Sequence, residues 1–71
     1  MINIQELTPF MKKGWVAMDE NKRWYWHRRK PTKLNSPWNY WESKGSDFEL
    51  IMFKIAPADD WTQSLQKVGG K

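Results

Sequence analysis

Six tryptophans in a chain of 71 residues that has no cysteine constrain the fold more than any other feature of this sequence. A domain of this length removes only about 60% of its unfolded surface from water, and no disulfide compensates for the small core. Each large aromatic ring can bury roughly 150 to 250 Å². Several tryptophans are therefore expected to be structural, and residues 1–71 are predicted to form a single domain.

Alternating aromatic and β-branched residues predict two hairpins. WVAMD and RWYWHRRKP flank a short polar turn and predict the first hairpin, which ends at Pro31. PTKLNSP contains two prolines and is interpreted as a loop. WNYWE and DFELIMFKI then predict the second hairpin, and the apolar alternation of DFELIMFKI on both faces predicts a central strand.

The C-terminal segment PADDWTQSLQKVGG predicts a short helix. Asp59 can cap it, and Trp61, Leu65 and Val68 fall on one helical stripe. The predicted fold class is thus α+β, a small four-stranded antiparallel β-meander with a short C-terminal helix on one face.

An even-numbered turn in the first hairpin would divide its side chains into two mostly apolar faces. One face would carry Trp15, Ala17, Trp24 and Trp26, and the other Val16, Met18, Tyr25 and His27. A single short helix covers one face of such a sheet. The second face would be packed within the monomer by the loop and N-terminal segment, covered by a second subunit, or open to a ligand, and we predict a homodimer.

Basic and aromatic residues are interleaved in KRWYWHRRK. Half of the 12 Lys and Arg residues lie between positions 22 and 33, a segment without an acidic residue, which suits either anion binding or a solvated face. Stacking of a base on an aromatic ring contributes ~1 to 3 kcal/mol. Arg28 could instead stack on Trp15 as an internal cation–π pair. The predicted ligand-binding residues are Trp24, Trp26, Arg28, Arg29, Lys30, Trp38, Tyr40 and Trp41.

Catalytic and metal-binding patterns are weak in this sequence. His27 is the single histidine and is interpreted as a surface or stacking residue, while Asp59 and Asp60 are interpreted as helix-capping carboxylates. The chain has no glycine-rich phosphate loop and no metal-ligand spacing. We expect no enzyme activity, no cofactor, no metal and no membrane span, and a cytoplasmic location.

GWVAMDENKRWYWHRRKP and the closing DWTQSL resemble a loose group of small phage and prophage proteins. The group shares a Trp-Val-Ala-x-Asp strand, an aromatic return strand ending in Lys-Pro, and an Asp-Trp-x-x-Ser-Leu tail. Lys22 stands where glycine is expected at the turn. The matching residues are Trp15, Val16, Ala17, Asp19, Trp24, Lys30, Pro31, Asp60, Trp61, Ser64 and Leu65. The resemblance implies a mobile-element origin, and small proteins of this kind commonly inhibit host machinery or sequester host defence molecules.

These observations predict a non-enzymatic binding protein. Its leading ligand is phosphate-bearing, either a nucleotide signal of host defence or single-stranded nucleic acid, because rings can stack on bases while cations hold phosphate. The alternative is an inhibitor that docks its aromatic face on a host protein, with tryptophan and arginine as anchors.

Overall fold

The computed structural model describes residues 1–43 and 47–69. Helix α1 (Ile4–Leu7) is followed by a 3₁₀ turn (Thr8–Phe10), and a second 3₁₀ turn (Trp61–Gln63) precedes the last strand. The strands are β1 (Gly14–Met18), β2 (Trp24–His27), β3 (Thr32–Leu34), β4 (Tyr40–Glu42), β5 (Phe48–Leu50) and β6 (Gln66–Val68). Four of them form an antiparallel sheet in the order β5-β2-β1-β6, and β3 and β4 form a separate antiparallel pair.

The turn between β1 and β2 has an odd number of residues. Asp19 and Arg23 close a three-residue loop through the Asp19 N–H, which donates to the Arg23 carbonyl at 3.0 Å. Lys22 takes the left-handed conformation (φ 69°) and donates its N–H to the Asp19 carbonyl at 2.9 Å. This combination of a turn with a left-handed residue is a common hairpin closure in which glycine is favoured at the left-handed position.

Because the loop has an odd number of residues, each β2 side chain lies on the opposite face, relative to the β1 side chains, from the one predicted. Met18 lies opposite Trp24, and Val16 lies opposite Trp26, so these four residues share one face. The predicted grouping of Trp15 and Ala17 with the two tryptophans was wrong because it assumed an even-numbered turn. Trp15, Ala17, Tyr25 and His27 instead share the second face.

The hydrophobic core lies on the first face of the sheet. Its buried residues are Ile4, Val16, Met18, Trp24, Ile55 and Val68. The N-terminal segment and the chain from Ile51 to Trp61 supply partly buried side chains that pack against them. A capping box begins α1: Asn3 Oδ1 accepts from the Gln5 N–H, and Glu6 Oε2 accepts from the Asn3 N–H.

The β3–β4 pair covers part of the second face. The Trp41 N–H donates to Asp19 Oδ1 at 2.9 Å, and the Glu20 N–H donates to the Asn39 carbonyl at 3.4 Å, which ties this pair to the β1–β2 turn. The prediction of a loop over PTKLNSP was therefore wrong for Thr32–Leu34. WNYWE contributes a strand, but its partner is β3 rather than the main sheet.

The predicted fold class is contradicted at the C-terminus, because the short helix is N-terminal and the last element is a strand. Asp60, rather than Asp59, caps a single 3₁₀ turn by accepting from the Thr62 N–H. The chain then extends, and β6 pairs with the free edge of β1, placing Val68 opposite Gly14. Pairing satisfies backbone groups of two strands at once, which a short isolated helix cannot do.

The predicted central strand is short and lies at the sheet edge. Only Phe48–Leu50 of DFELIMFKI pairs with β2, and Met52 and Phe53 are exposed. Ile55 returns to the core, where it forms an isolated parallel bridge with Ile2. The central strands are β1 and β2. The apolar residues of DFELIMFKI are divided between the core, as Ile55 is, and the surface, as Met52 and Phe53 are.

Candidate functional site

The predicted combination of basic and aromatic side chains at a ligand site occurs in a groove on the first face of the sheet. Trp26 lies near the end of β2 on this face, and Arg28, two residues later, lies beside it as strand alternation predicts. The groove has a volume of about 410 Å³ and is called the Trp26 groove below. It is lined by Lys12, Lys13, Trp26, Arg28, Asp47, Phe48 and Glu49.

The Trp26 ring is held in place by the segment that precedes β1. Its indole N–H donates to the Lys12 carbonyl at 3.1 Å, and Lys12 Nζ lies 4.6 Å from the ring centroid. The Lys12 ammonium also lies 3.8 Å from Glu49 Oε1, in a pair whose side chains are about two-thirds exposed. Exposed ion pairs contribute little, so this ammonium is available to an anionic ligand.

Two of the eight predicted ligand-binding residues belong to the interior. Trp24 is buried in the core and its indole N–H donates to the Ala56 carbonyl at 3.3 Å. Trp41 is buried, donates its indole N–H to the Trp61 carbonyl at 3.1 Å, and contacts the Trp61 ring edge to face. Burial and hydrogen bonding of both indoles indicate that Trp24 and Trp41 are structural residues.

Four further predicted residues lie away from the Trp26 groove. Arg29 is exposed and pairs with Asp47 at 3.5 Å. Lys30 Nζ lies 5.5 Å from the Trp15 ring centroid, so Lys30, and not Arg28, forms the cation–π contact with Trp15. The exposed Trp38 and the half-buried Tyr40 line a hollow next to the β1–β2 turn. From the predicted set, the structure therefore combines one aromatic ring with a cation only at Trp26 and Arg28, whereas Tyr40 shares one cavity with Trp38 and another with Trp41.

A second site was not predicted from the sequence. A cavity of about 320 Å³ opens on the second face of the sheet, under the β3–β4 pair, and is called the His27 cleft below. It is lined by Asp19, Tyr25, His27, Tyr40, Trp41, Glu42, Ser43 and Phe48. Three of its rings, those of Tyr25, His27 and Phe48, form a cluster with centroids 6.0 to 6.5 Å apart.

His27 is 2% exposed, so of the two interpretations, surface residue or stacking residue, the first was wrong; its ring lies beside those of Tyr25 and Phe48. Neither Nδ1 nor Nε2 has a hydrogen-bond partner among the described residues. Burial lowers the pKa of His27 below its usual 6.5, because the charged imidazolium would lose its hydration. The sequence did contain a signal for this burial, because His27 lies two residues after Tyr25, on the same face of a strand that is mostly apolar on both faces.

Asp19 links the cleft to the hairpin turn. Burial raises the pKa of its carboxyl above the usual 3.8, and the hydrogen bond from the Trp41 N–H opposes this rise. Ser43 Oγ is buried and has no hydrogen-bond partner within the described part of the chain. The cleft therefore combines aromatic walls with polar atoms that have unused hydrogen-bonding capacity.

Residues 1–43 and 47–69 contain no group of three His, Cys, Asp or Glu side chains placed to hold a metal ion. Within the same ranges, no helix is both long enough and apolar enough to cross a membrane. Comparison with known proteins found no matching family model, curated protein or solved structure.

Proposed function

We propose that this protein is a non-enzymatic binding protein that captures a phosphate-bearing ligand in the Trp26 groove. The observation that carries the proposal is the convergence of one aromatic ring with three cations, those of Lys12, Lys13 and Arg28. The cations would hold phosphate while the Trp26 ring stacks on a base. Together with the resemblance to phage proteins, this chemistry suggests two ligand classes, a nucleotide signal of host defence and single-stranded nucleic acid.

The Trp26 groove carries a small net positive charge. Asp47 and Glu49 also line the groove, which leaves a formal excess of one positive charge from three cations and two carboxylates. Lys12 pairs with Glu49, and Asp47 pairs with Arg29 outside the groove. Phosphate binding would replace or extend these exposed pairs, so affinity is expected to fall as salt is added.

The test is fluorescence titration of the protein with a short oligothymidylate and with a nucleotide, each at two salt concentrations. A groove variant carries Lys12→Gln, Lys13→Gln and Arg28→Gln. A control variant carries Arg23→Gln, Lys33→Gln and Lys67→Gln, three exposed positions outside the groove, and has the same net charge as the groove variant. The groove variant should lose affinity, and its salt slope on a single strand should flatten by about 0.7 for each phosphate that it no longer neutralises.

Stacking is tested separately with Trp26→Leu. This change should weaken binding by ~1 to 3 kcal/mol and leave the salt slope unchanged, since stacking releases no counterions. Circular dichroism must first show that each variant is folded, because Trp26 also packs against the core. Equal losses in the groove and control variants would contradict the proposal.

Docking on a protein is the second candidate, and a specific apolar surface favours it. Phe10, Met52 and Phe53 are 86%, 84% and 63% exposed and are called the apolar patch below. They line one hollow of about 480 Å³ together with Trp26 and Lys12, so the patch adjoins the Trp26 groove. Exposed apolar surface of this kind usually marks an interaction site. Binding to a protein partner there should change little with salt, which distinguishes it from phosphate capture.

A further inference from the structure

Among the residues that the structure describes, the buried side-chain polar atoms without a hydrogen-bond partner lie at one place. Within residues 1–43 and 47–69, the buried side-chain nitrogen and oxygen atoms without a hydrogen-bond partner are Nδ1 and Nε2 of His27 and Oγ of Ser43. Both residues line the His27 cleft. Most buried polar groups in proteins are paired, so three unpaired atoms at a single cavity point to a bound molecule that supplies the missing partners.

The charge of the cleft is opposite to that of the Trp26 groove. Its lining includes the carboxyl groups of Asp19 and Glu42, and within the part of the chain that the structure describes it includes no lysine or arginine. Carboxylates accept hydrogen bonds and donate none, and the free lone pair of a neutral imidazole also accepts. This set of groups favours a ligand that carries hydrogen-bond donors and positive charge.

The aromatic side chains that line the cleft can pack against an apolar part of the same ligand. Tyr25 and Phe48 contact each other edge to face on the sheet, and Tyr40 and Trp41 come from β4 on the opposite side. Aromatic rings attract cations through their negative faces and are a recurrent device for binding organic ammonium groups. A volume of about 320 Å³ lies at the small end of the range for small-molecule sites.

We infer that the His27 cleft is a binding site for a small organic ammonium cation with an apolar or aromatic body. The ammonium N–H groups donate to the carboxylates of Asp19 and Glu42 and to a ring nitrogen of His27. The body of the ligand lies against Tyr25, Tyr40 and Phe48. This site is separate from the phosphate-binding groove and takes a ligand of opposite charge, so it stands or falls independently of the proposed function.

The test uses three probes that share a phenethyl-type skeleton and differ in charge: phenethylammonium, phenethyl alcohol and phenylacetate. Because the chain has a single histidine, the ring nitrogens of His27 give an unambiguous ¹⁵N signal. At neutral pH and millimolar probe, phenethylammonium should shift both ring nitrogens of His27 and the indole signal of Trp41. Phenethyl alcohol should bind at least about tenfold more weakly, since charge-assisted hydrogen bonds are lost, and phenylacetate should cause no shift.

Two variants test the assigned carboxylates. Asp19→Asn keeps an oxygen acceptor for the Trp41 N–H and removes the charge, and Glu42→Gln alters an exposed side chain at the rim. Each should weaken phenethylammonium binding by about tenfold. Glu20→Gln is the matched control, because Glu20 adjoins Asp19 in sequence but does not line the cleft, and it should leave affinity unchanged.

Three results would overturn the inference. They are the absence of any His27 shift with phenethylammonium, equal binding of the ammonium and phenylacetate probes, and equal losses in Glu42→Gln and Glu20→Gln. The first of these would leave water as the partner of the unpaired nitrogens.

Discussion

Ser64 shows how a single side chain connects distant parts of this small protein. It is buried, and its hydroxyl accepts from the Met18 N–H at 2.8 Å while lying within hydrogen-bond distance of the carbonyls of Met18 and Trp61. The hydroxyl thus serves as the hydrogen-bond acceptor for the backbone N–H of Met18 at the end of β1. The Ser in the Asp-Trp-x-x-Ser-Leu tail acts here as a connection between the last 3₁₀ turn and the first hairpin.

Ser64→Ala should reduce the free energy of unfolding by about 1 to 3 kcal/mol, because the buried Met18 N–H loses its acceptor. Thr62→Ala is the control: its hydroxyl donates to Asp60 in an exposed hydrogen bond, and its loss should cost about 0.5 kcal/mol. Urea denaturation of both variants measures the difference. Similar costs would show that the Ser64 hydroxyl is not the critical acceptor.

His27 predicts how stability depends on pH. Its folded-state pKa lies below the usual 6.5, so below pH 6.5 the unfolded chain binds a proton that the folded chain does not. The stability contributed by neutral His27 is therefore present above pH 6.5 and is lost as pH falls through the folded-state pKa. The raised pKa of Asp19 has the opposite effect: its contribution to stability is present below pH 3.8 and is lost as pH rises through the folded-state pKa of Asp19.

Thermal unfolding between pH 7.5 and pH 5.5 measures this dependence. The wild-type melting temperature should fall on acidification, and His27→Phe, which keeps a flat ring and removes the titrating group, should show a smaller fall. The single His27 signal in NMR gives its pKa directly. A folded-state pKa of His27 at or above 6.5 would contradict the prediction.

At the level of elements, the β1–β2 turn decides which side chains reach the core. Its three-residue loop depends on Lys22 adopting a left-handed conformation, which costs a non-glycine residue roughly 1 to 2 kcal/mol. Asn21 supports the turn, since its Oδ1 accepts from the Arg23 N–H at 3.0 Å. An even-numbered loop would have moved Trp24 and Trp26 to the opposite face.

Lys22→Gly should stabilise the protein by up to about 1 kcal/mol, because relief of the left-handed strain exceeds the roughly 0.5 to 1 kcal/mol entropic cost of glycine. Glu20→Gly, in the same loop but without a positive φ, should destabilise the protein by that entropic cost. Chemical denaturation should therefore give changes of opposite sign. Two changes of the same sign would show that strain at Lys22 is not significant.

Across the whole molecule, the two faces of one sheet carry different chemistry. The first face bears the core and, beside it, the basic Trp26 groove, while the second bears the His27 cleft with its two carboxyl groups. The edge strand β5 contributes Phe48 to the linings of both. The sequence predicts a homodimer through an uncovered face of the sheet, but the β3–β4 pair covers part of that face. We therefore expect a homodimer to form at the apolar patch, which lies next to the β5 edge.

Sedimentation at micromolar concentration should detect a dimer, because self-association would bury the apolar patch around a two-fold axis. Met52→Glu combined with Phe53→Glu should give a monomer, since it places charges in that interface. Trp38→Glu changes a comparably exposed ring that lines a different hollow and should leave the dimer intact. A wild-type monomer would remove the prediction.

The sequence by itself determined only part of the local structure of this protein. It placed the first hairpin correctly, and it identified Trp26 and Arg28 as neighbours on one strand face, because strand alternation depends only on positions along the chain. The need for tryptophan in a small core without disulfides was likewise evident, and Trp24 and Trp41 are buried.

The tertiary structure alone decided strand partners, loop parity and the sites. The stripe of Trp61, Leu65 and Val68 fits a helix, yet the free edge of β1 recruits Gln66–Val68 as a strand, since that edge has backbone groups to satisfy. The His27 cleft arises because β3 and β4, separated from the main sheet, close over its second face. Hydrogen bonding and burial between residues distant in the chain are many-body properties, so local periodicity could specify which residues were apolar but not which surfaces would meet.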